Sequence, residues 1–333
     1  MKSRLKGFAS FALVLLSAGL FAPFAALAPA QEAAAATASA PATEDAAWRQ
    51  ELAAWRAKEE RDLAAPDGWL TLVGLEWLKP GVNSVGAAAD NQIKLPASSP
   101  DQAPAHLGLL TVSGKAQPGQ TVQLLAPIGG FPAELRIDGQ SAREGSLTVE
   151  GAKPSTITWR GLTMVVLERG SRYALRIKDA NSPTRTGFQG LKWYAPDPRF
   201  RIKALWIPFV PAHIEKIPTI IGTTLDLPAP GVAEFMLDGK ILRLEPVLED
   251  PAGKTLFFIL RDETSKTTTY QAARFLHTGL PSHGLDQPGV LTLDFNRLEN
   301  PPCAYTPYAT CPLPPDRNRL PVAIEAGEQR YAH

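Results

Sequence analysis

The sequence predicts a mainly β, antiparallel protein that carries one N-terminal helix. Three observations predict it. Short runs rich in Val, Ile, Leu, Thr and aromatic residues recur along most of the chain, separated by Gly, Pro, Asp and Asn. That rhythm belongs to sandwich or barrel construction and not to a parallel α/β sheet. Proline accounts for 31 of 333 residues, about 9% against an average of ~5%, which works against a helical bundle. Twice, at Leu135-Arg136-Ile137-Asp138-Gly139 and at Phe235-Met236-Leu237-Asp238-Gly239, Asp-Gly follows directly on an alternating strand, as a tight hairpin turn with positive φ requires. Composition excludes other classes. With 44% apolar residues, 20% charged residues and a formal charge of +1, the chain lacks the low hydropathy and high charge of a disordered one and the basic excess of a nucleic-acid binder. Only two cysteines in a chain of this length exclude a disulfide-dense miniprotein.

Residues 1–30 read as a secretory signal peptide. Lys2, Arg4 and Lys6 form a positive start, an uncharged apolar run follows from Gly7 to Leu20, and Ala28-Pro29-Ala30 supplies a small-x-small cleavage pattern. Periplasmic or secreted location is therefore expected, with no membrane span after cleavage, because no later stretch is long and apolar enough to cross a bilayer. Residues 31–44 are small and nearly featureless and are expected to be a disordered leader. Residues 45–67 hold an amphipathic helix. Asp45 stands as its cap, and Trp48, Leu52, Trp55 and Leu63 form one apolar stripe, opposite a face carrying Arg49, Arg56, Lys58, Glu59, Glu60, Arg61 and Asp62. Pro66-Asp67-Gly68 ends it with turn chemistry.

The β rhythm then begins. Expected strands are Trp69–Val73, Gln92–Leu95, Thr121–Leu125, Ala133–Ile137, Ser146–Glu150, Thr156–Thr158, Thr163–Glu168 and Tyr173–Lys178. Further along come Ala204–Phe209, Glu234–Leu237, Lys240–Leu244, Leu256–Arg261, Thr268–Ala272 and Val290–Asp294. Within 68–150, the order Gly81-Val82-Asn83-Ser84-Val85-Gly86, Asp90-Asn91-Gln92-Ile93-Lys94-Leu95 and His106-Leu107-Gly108 resembles the forkhead-associated (FHA) β-sandwich. The resemblance implies architecture alone. Ala87 stands where that family places an arginine, no serine sits three residues before His106, and a phosphate grip needs such a guanidinium fork. His106 is read as a structural, hydrogen-bonding residue.

A second resemblance covers nearly the whole mature chain. It is carried by Gly68-Trp69-Leu70, Gly74-Leu75-Glu76-Trp77-Leu78, Phe257 to Thr264, Asp294-Phe295-Asn296-Arg297, and the tail from Asn300-Pro301-Pro302-Cys303 to Cys311-Pro312-Leu313-Pro314-Pro315. By these motifs the chain is identified as a member of the bacterial DUF1684 family (domain of unknown function 1684), assigned to 151–333. Membership brings no established reaction with it.

Chemistry has three candidate locations. Asn300 to Pro321 contains seven prolines, so it is neither helix nor regular strand but a strap fixed on the body, with Tyr305 and Tyr308 as anchors. Cys303 and Cys311 most simply close a disulfide in an exported chain, with reduced buried thiols or redox chemistry as alternatives. Arg172 and Arg176 share one face of a strand, joined by Lys178, and read either as a cationic patch for an anion or as a solvated face. Asp262, Asp294, Asn296 and Arg297 cap the ends of apolar strands, as a structural network or, through Asp262 and Asp294, as a general acid–base pair. Five scattered histidines (His106, His213, His277, His283 and His333) and two cysteines show no paired ligand spacing, so no metal or cofactor is expected. GxSxG, HExxH, P-loop and GxGxxG signatures are missing. The function expected is that of a cell-envelope binding protein for an anionic small molecule, glycan or peptide, at Arg172, Arg176, Asn296, Arg297, Asn300 and Tyr305. A metal-independent hydrolase and a structural or interaction protein of the envelope are the alternatives.

Overall fold

The computed structural model describes residues 30–96, 103–113, 122–149, 153–250 and 252–331. The segment expected to be a signal peptide, residues 1–30, falls outside them apart from Ala30. The chain divides into two units, Met1–Ala46 and Ala47–His333. Helix α1 runs over Ala30–Leu63, so 31–44, expected as a disordered leader, is helical; its many alanines are the strongest helix formers. In the second unit Trp48, Leu52 and Leu63 are buried as the stripe requires, and Trp55 meets Trp193 edge-on at 5.6 Å. The opposite face is not simply solvated. Arg56 donates to the carbonyls of Tyr194 and Asn296, and Glu60 accepts from the Trp193 indole at 3.0 Å.

The β assignment holds. Strands β1 (Leu72–Trp77), β2 (Gly81–Gly86), β3 (Ile93–Lys94), β4 (Gly108–Val112), β5 (Val122–Leu125), β6 (Arg136–Ile137), β7 (Gln140–Ser141), β8 (Gly145–Leu147), β9 (Thr156–Trp159), β10 (Leu162–Arg169) and β11 (Arg172–Asp179) form two sheets. Their orders are β1-β11-β10-β9-β6-β7 and β3-β2-β4-β5-β8, and they enclose one core that includes Val85, Leu110, Leu124, Ile157, Met164 and Leu175. Strands β9 to β11 lie beyond 150, so this sandwich continues to Asp179 instead of ending at 150. His106 stands beside the Asn91 side chain at 3.4 Å.

After the single turn α2 (Pro183–Thr186), strands β12 (Arg201–Pro218), β13 (Thr224–Leu237), β14 (Lys240–Leu244), β15 (Leu256–Leu260), β16 (Arg274–Thr278) and β17 (Gly289–Asp294) follow. They build a sheet of order β14-β13-β12-β17 and the pair β15-β16. Trp206, Phe235, Phe258, Leu293 and Phe295 fill the core between them. All five residues of β15 are buried, the mark of a strand covered on both faces. Both Asp-Gly hairpins form as read: Asp138, Gly139, Asp238 and Gly239 all have positive φ, joining β6 to β7 and β13 to β14. The strand expected at Thr268–Ala272 does not form. The amides of Thr267, Thr268 and Thr269 all turn back to the Thr264 carbonyl, and the strand pairing passes to β16.

The strap lies on the body as expected. Bridges at Thr219 with Pro312 and Arg261 with Arg319 tie it down, with Phe275 bridged to Glu299 just ahead of it, and the Asn318 amide donates to the carbonyls of Glu245 and Ile259. The expected disulfide is not formed. Cys303 and Cys311 are free; Cys311 is buried beside Phe257, Ile259 and Phe275, and its sulfur accepts the Cys303 amide N–H at 3.1 Å. Main-chain bridges and burial hold the strap without a covalent link.

Candidate functional site

Where the end of α1, β15, β16 and the strap meet, a cavity of about 650 Å3 opens. The helix end contributes Glu59, Asp62 and Leu63, and the turn after it Asp67 and Trp69; Leu191 and Glu249 come from loops. Phe257, Phe275 and His277 project from the strand pair, and Glu299, Asn300, Pro302, Tyr305 and Glu328 from the strap and tail. Strand geometry explains the aromatic wall. Phe275 and His277 are two residues apart and share a face of β16. Phe257 is paired with His277 in register, and their rings stack at 4.6 Å with 9° between planes.

Six carboxylates line this space with one histidine. His277 faces Glu249 from Nε2 at 3.2 Å and Glu299 from Nδ1 at 3.4 Å. Burial alone pulls its pKa down, but the bonds to these two carboxylates outweigh that and hold it at about 9. The imidazolium is thus already shared. Glu328 is 1% exposed; it accepts the Asn300 amide N–H at 2.8 Å, the Asn300 Nδ2 at 2.7 Å and the Tyr305 hydroxyl at 2.5 Å. Burial nevertheless pushes its carboxyl up to about 7. Glu59 is raised by burial and then by the charge of Glu299. Asn300, itself 5% exposed, donates its second amide hydrogen to the Gln329 carbonyl, and its Oδ1 has no hydrogen-bond partner among the described residues. The wall is made of acceptors and rings.

Of the residues expected in a site, Asn300 and Tyr305 line this cavity; the others lie elsewhere. Arg172 rests on the Trp77 ring at 3.7 Å and Arg176 on Trp69 at 5.3 Å. Arg297 lies over Trp55 at 5.6 Å, and Asn296 clamps the Asp197 backbone through its amide N and O, each at 2.9 Å. Asp262 and Asp294 each cap their own 3-10 turn. Asp262 accepts from Thr264 and pairs with Arg274 at 2.8 Å; Asp294 accepts from Asn296 and from the Trp48 indole at 2.7 Å. Neither carboxylate lines the cavity. Glu59, Glu249, His277, Glu299 and Glu328 went unnoticed as site residues in the sequence. The one signal for His277 is its alternation with Phe275, which the expected strand at Thr268–Ala272 does not include and β16 does. Elsewhere, His213, Glu215 and Glu245 bring three ligand atoms within 4.8 Å of one another, but Arg317 already bridges the two glutamates at 3.2 and 2.7 Å, supplying the positive charge that such a group needs.

Fold and site together define a mainly β protein with an acidic, aromatic-walled cavity closed by a proline strap. Residues 186–329 match the family described as Protein of unknown function (DUF1684). The chain belongs to that family, and the matched span contains every cavity residue except those of the helix end and its turn. It is 31% identical to an uncharacterized protein from gene locus rrnAC0354 of Haloarcula marismortui, solved by solution NMR. That alignment covers 44% of this chain and 79% of the other at a TM-score of 0.37, too low to speak for shared architecture. No curated protein matches.

Proposed function

We propose that this chain is an exported binding protein whose cavity receives a small molecule with a cationic, hydrogen-bond-donating group on an apolar body. The carrying observation is the partnerless Oδ1 of buried Asn300 in the cavity wall. A buried acceptor without a donor costs about 1–3 kcal/mol, a cost that a ligand N–H reaching the Asn300 oxygen would remove. Charge supports the same reading. Six carboxylates against one imidazolium leave the cavity negative, and Glu59, already raised by burial and by Glu299, gains from an approaching cation. Leu63, Trp69, Leu191, Phe257 and Phe275 suit an alkyl or aromatic body, and ring faces attract organic cations. An anionic ligand, expected from the arginine strand, meets like charge in this cavity. Export rests on Lys2, Arg4, Lys6 and the apolar run behind them.

Isothermal titration with hexylamine and with hexanoate near pH 8 tests the reading. Saturable binding of hexylamine and none of hexanoate is the expected result. Binding of hexanoate alone, or of neither compound, overturns it.

A further inference from the structure

Leu191 belongs to two cavities. Beyond it from the acidic one lies a second cleft of about 480 Å3, whose charged lining among the described residues is Lys192 and Arg330, with no carboxylate. The backbone sets the two side by side. The segments around 192–194 and 327–329 run together, with the Gln329 amide donating to the Lys192 carbonyl at 2.8 Å and the Tyr194 amide to the Gly327 carbonyl at 2.9 Å. Glu328, in the acidic wall, and Arg330, in the basic cleft, are therefore two residues apart on one segment, roughly 7 Å if extended. Tyr305 of the first cavity and Tyr331 of the second meet edge-on at 5.2 Å. The Arg330 guanidinium is oriented by the Thr269 and Ser265 carbonyls at 3.1 and 3.4 Å. Among the described residues no carboxylate pairs with it or with Lys192.

We infer that the ligand is dipolar. An ammonium or guanidinium occupies the acidic cavity, a short apolar chain crosses Leu191, and a carboxylate reaches Lys192 and Arg330. The class is that of an ω-amino acid or an amino-terminated organic acid. This inference deepens the cation reading and rests on it, and the test separates the two.

Hexylamine and ε-aminocaproate are titrated into the full mature chain. They share an alkyl amine and differ in the terminal carboxylate. The carboxylate is expected to tighten binding about tenfold, as a charge-assisted contact to two cations does, and Lys192→Gln or Arg330→Gln to bring the ratio of the two affinities toward one. Arg330 holds two carbonyls, so its variant is checked for a retained melting temperature; Lys192 makes no side-chain hydrogen bond among the described residues, and its variant decides if the other unfolds. Equal affinity for both compounds overturns the dipolar ligand and leaves the cation reading standing. Failure of both to bind overturns both. A preference undiminished in Lys192→Gln and in a folded Arg330→Gln overturns the assignment of the carboxylate to this cleft.

Discussion

Surrounded by Asn300, Tyr305 and the charge of Glu299, the Glu328 carboxyl accepts three hydrogen bonds and still sits at about 7, because burial outweighs them. Its charge therefore changes near neutrality, and so does the pull of the cavity on a cation. Hexylamine affinity rises as pH climbs through about 7, while the ammonium keeps its proton, and Glu328→Gln flattens that rise; titration calorimetry across that range measures it. Asn300 and Tyr305 were legible because they stand in an unusual motif. Glu299 and Glu328 were not, since a carboxylate in irregular chain reads the same in sequence whether it faces water or a cavity. Asp262 shows the reverse error. It looked catalytic, yet its ion pair with Arg274 has side chains exposed by 0% and 1%, and Arg274 also donates to the carbonyls of Ile324 and Ala326. Breaking one side of such a pair leaves a buried charge, so Arg274→Met is expected to lose about 3–5 kcal/mol, read as a shift in urea midpoint.

Elements follow from sequence as far as their local signals agree. The Asp-Gly hairpins and the apolar stripe of α1 needed only turn chemistry and periodicity. At Thr268–Ala272 the β-branched residues favour a strand, but the Asp262 cap and Thr264 turn the backbone on itself first, a competition that propensity does not register. The tail that carries Glu328 depends on a glycine in the same local way. Gly327 has φ +77, and a Cβ there stands 2.5 Å from the Leu298 carbonyl oxygen, which itself accepts the Glu328 amide at 2.7 Å. Left-handed backbone alone costs about 1–2 kcal/mol in an L-residue, and a main-chain oxygen does not yield as a flexible side chain does. Gly327→Ala is expected to lose about 2–3 kcal/mol and, by displacing Glu328, to weaken hexylamine binding as well. Equilibrium denaturation alongside calorimetry reads both effects.

At the scale of the whole molecule, the cavity gives stability an unusual dependence on pH. Most proteins gain stability from acid toward neutrality as paired carboxylates ionise. In this chain the Glu328 carboxyl, at 4.5 when unfolded, is raised to about 7 in the fold, so between those values the folded state holds a proton that the unfolded chain has released, and stability falls as pH rises. Glu59 acts in the same direction. His277 extends the decline. Its pKa goes from 6.5 unfolded to about 9 folded, so its contribution is complete below 6.5 and is lost as pH passes 9. The His277 side chain is 43% exposed, and solvent screening keeps its share smaller than that of Glu328. Urea denaturation from about pH 5 to about pH 9 is thus expected to show a falling free energy of unfolding, with Glu328→Gln removing the lower limb and His277→Gln the upper one. A bound cation compensates the carboxylates that cause the decline, so the stabilisation conferred by saturating hexylamine should grow over the interval in which the unliganded protein weakens. A ligand effect that stayed constant with pH would place the amine away from Glu328.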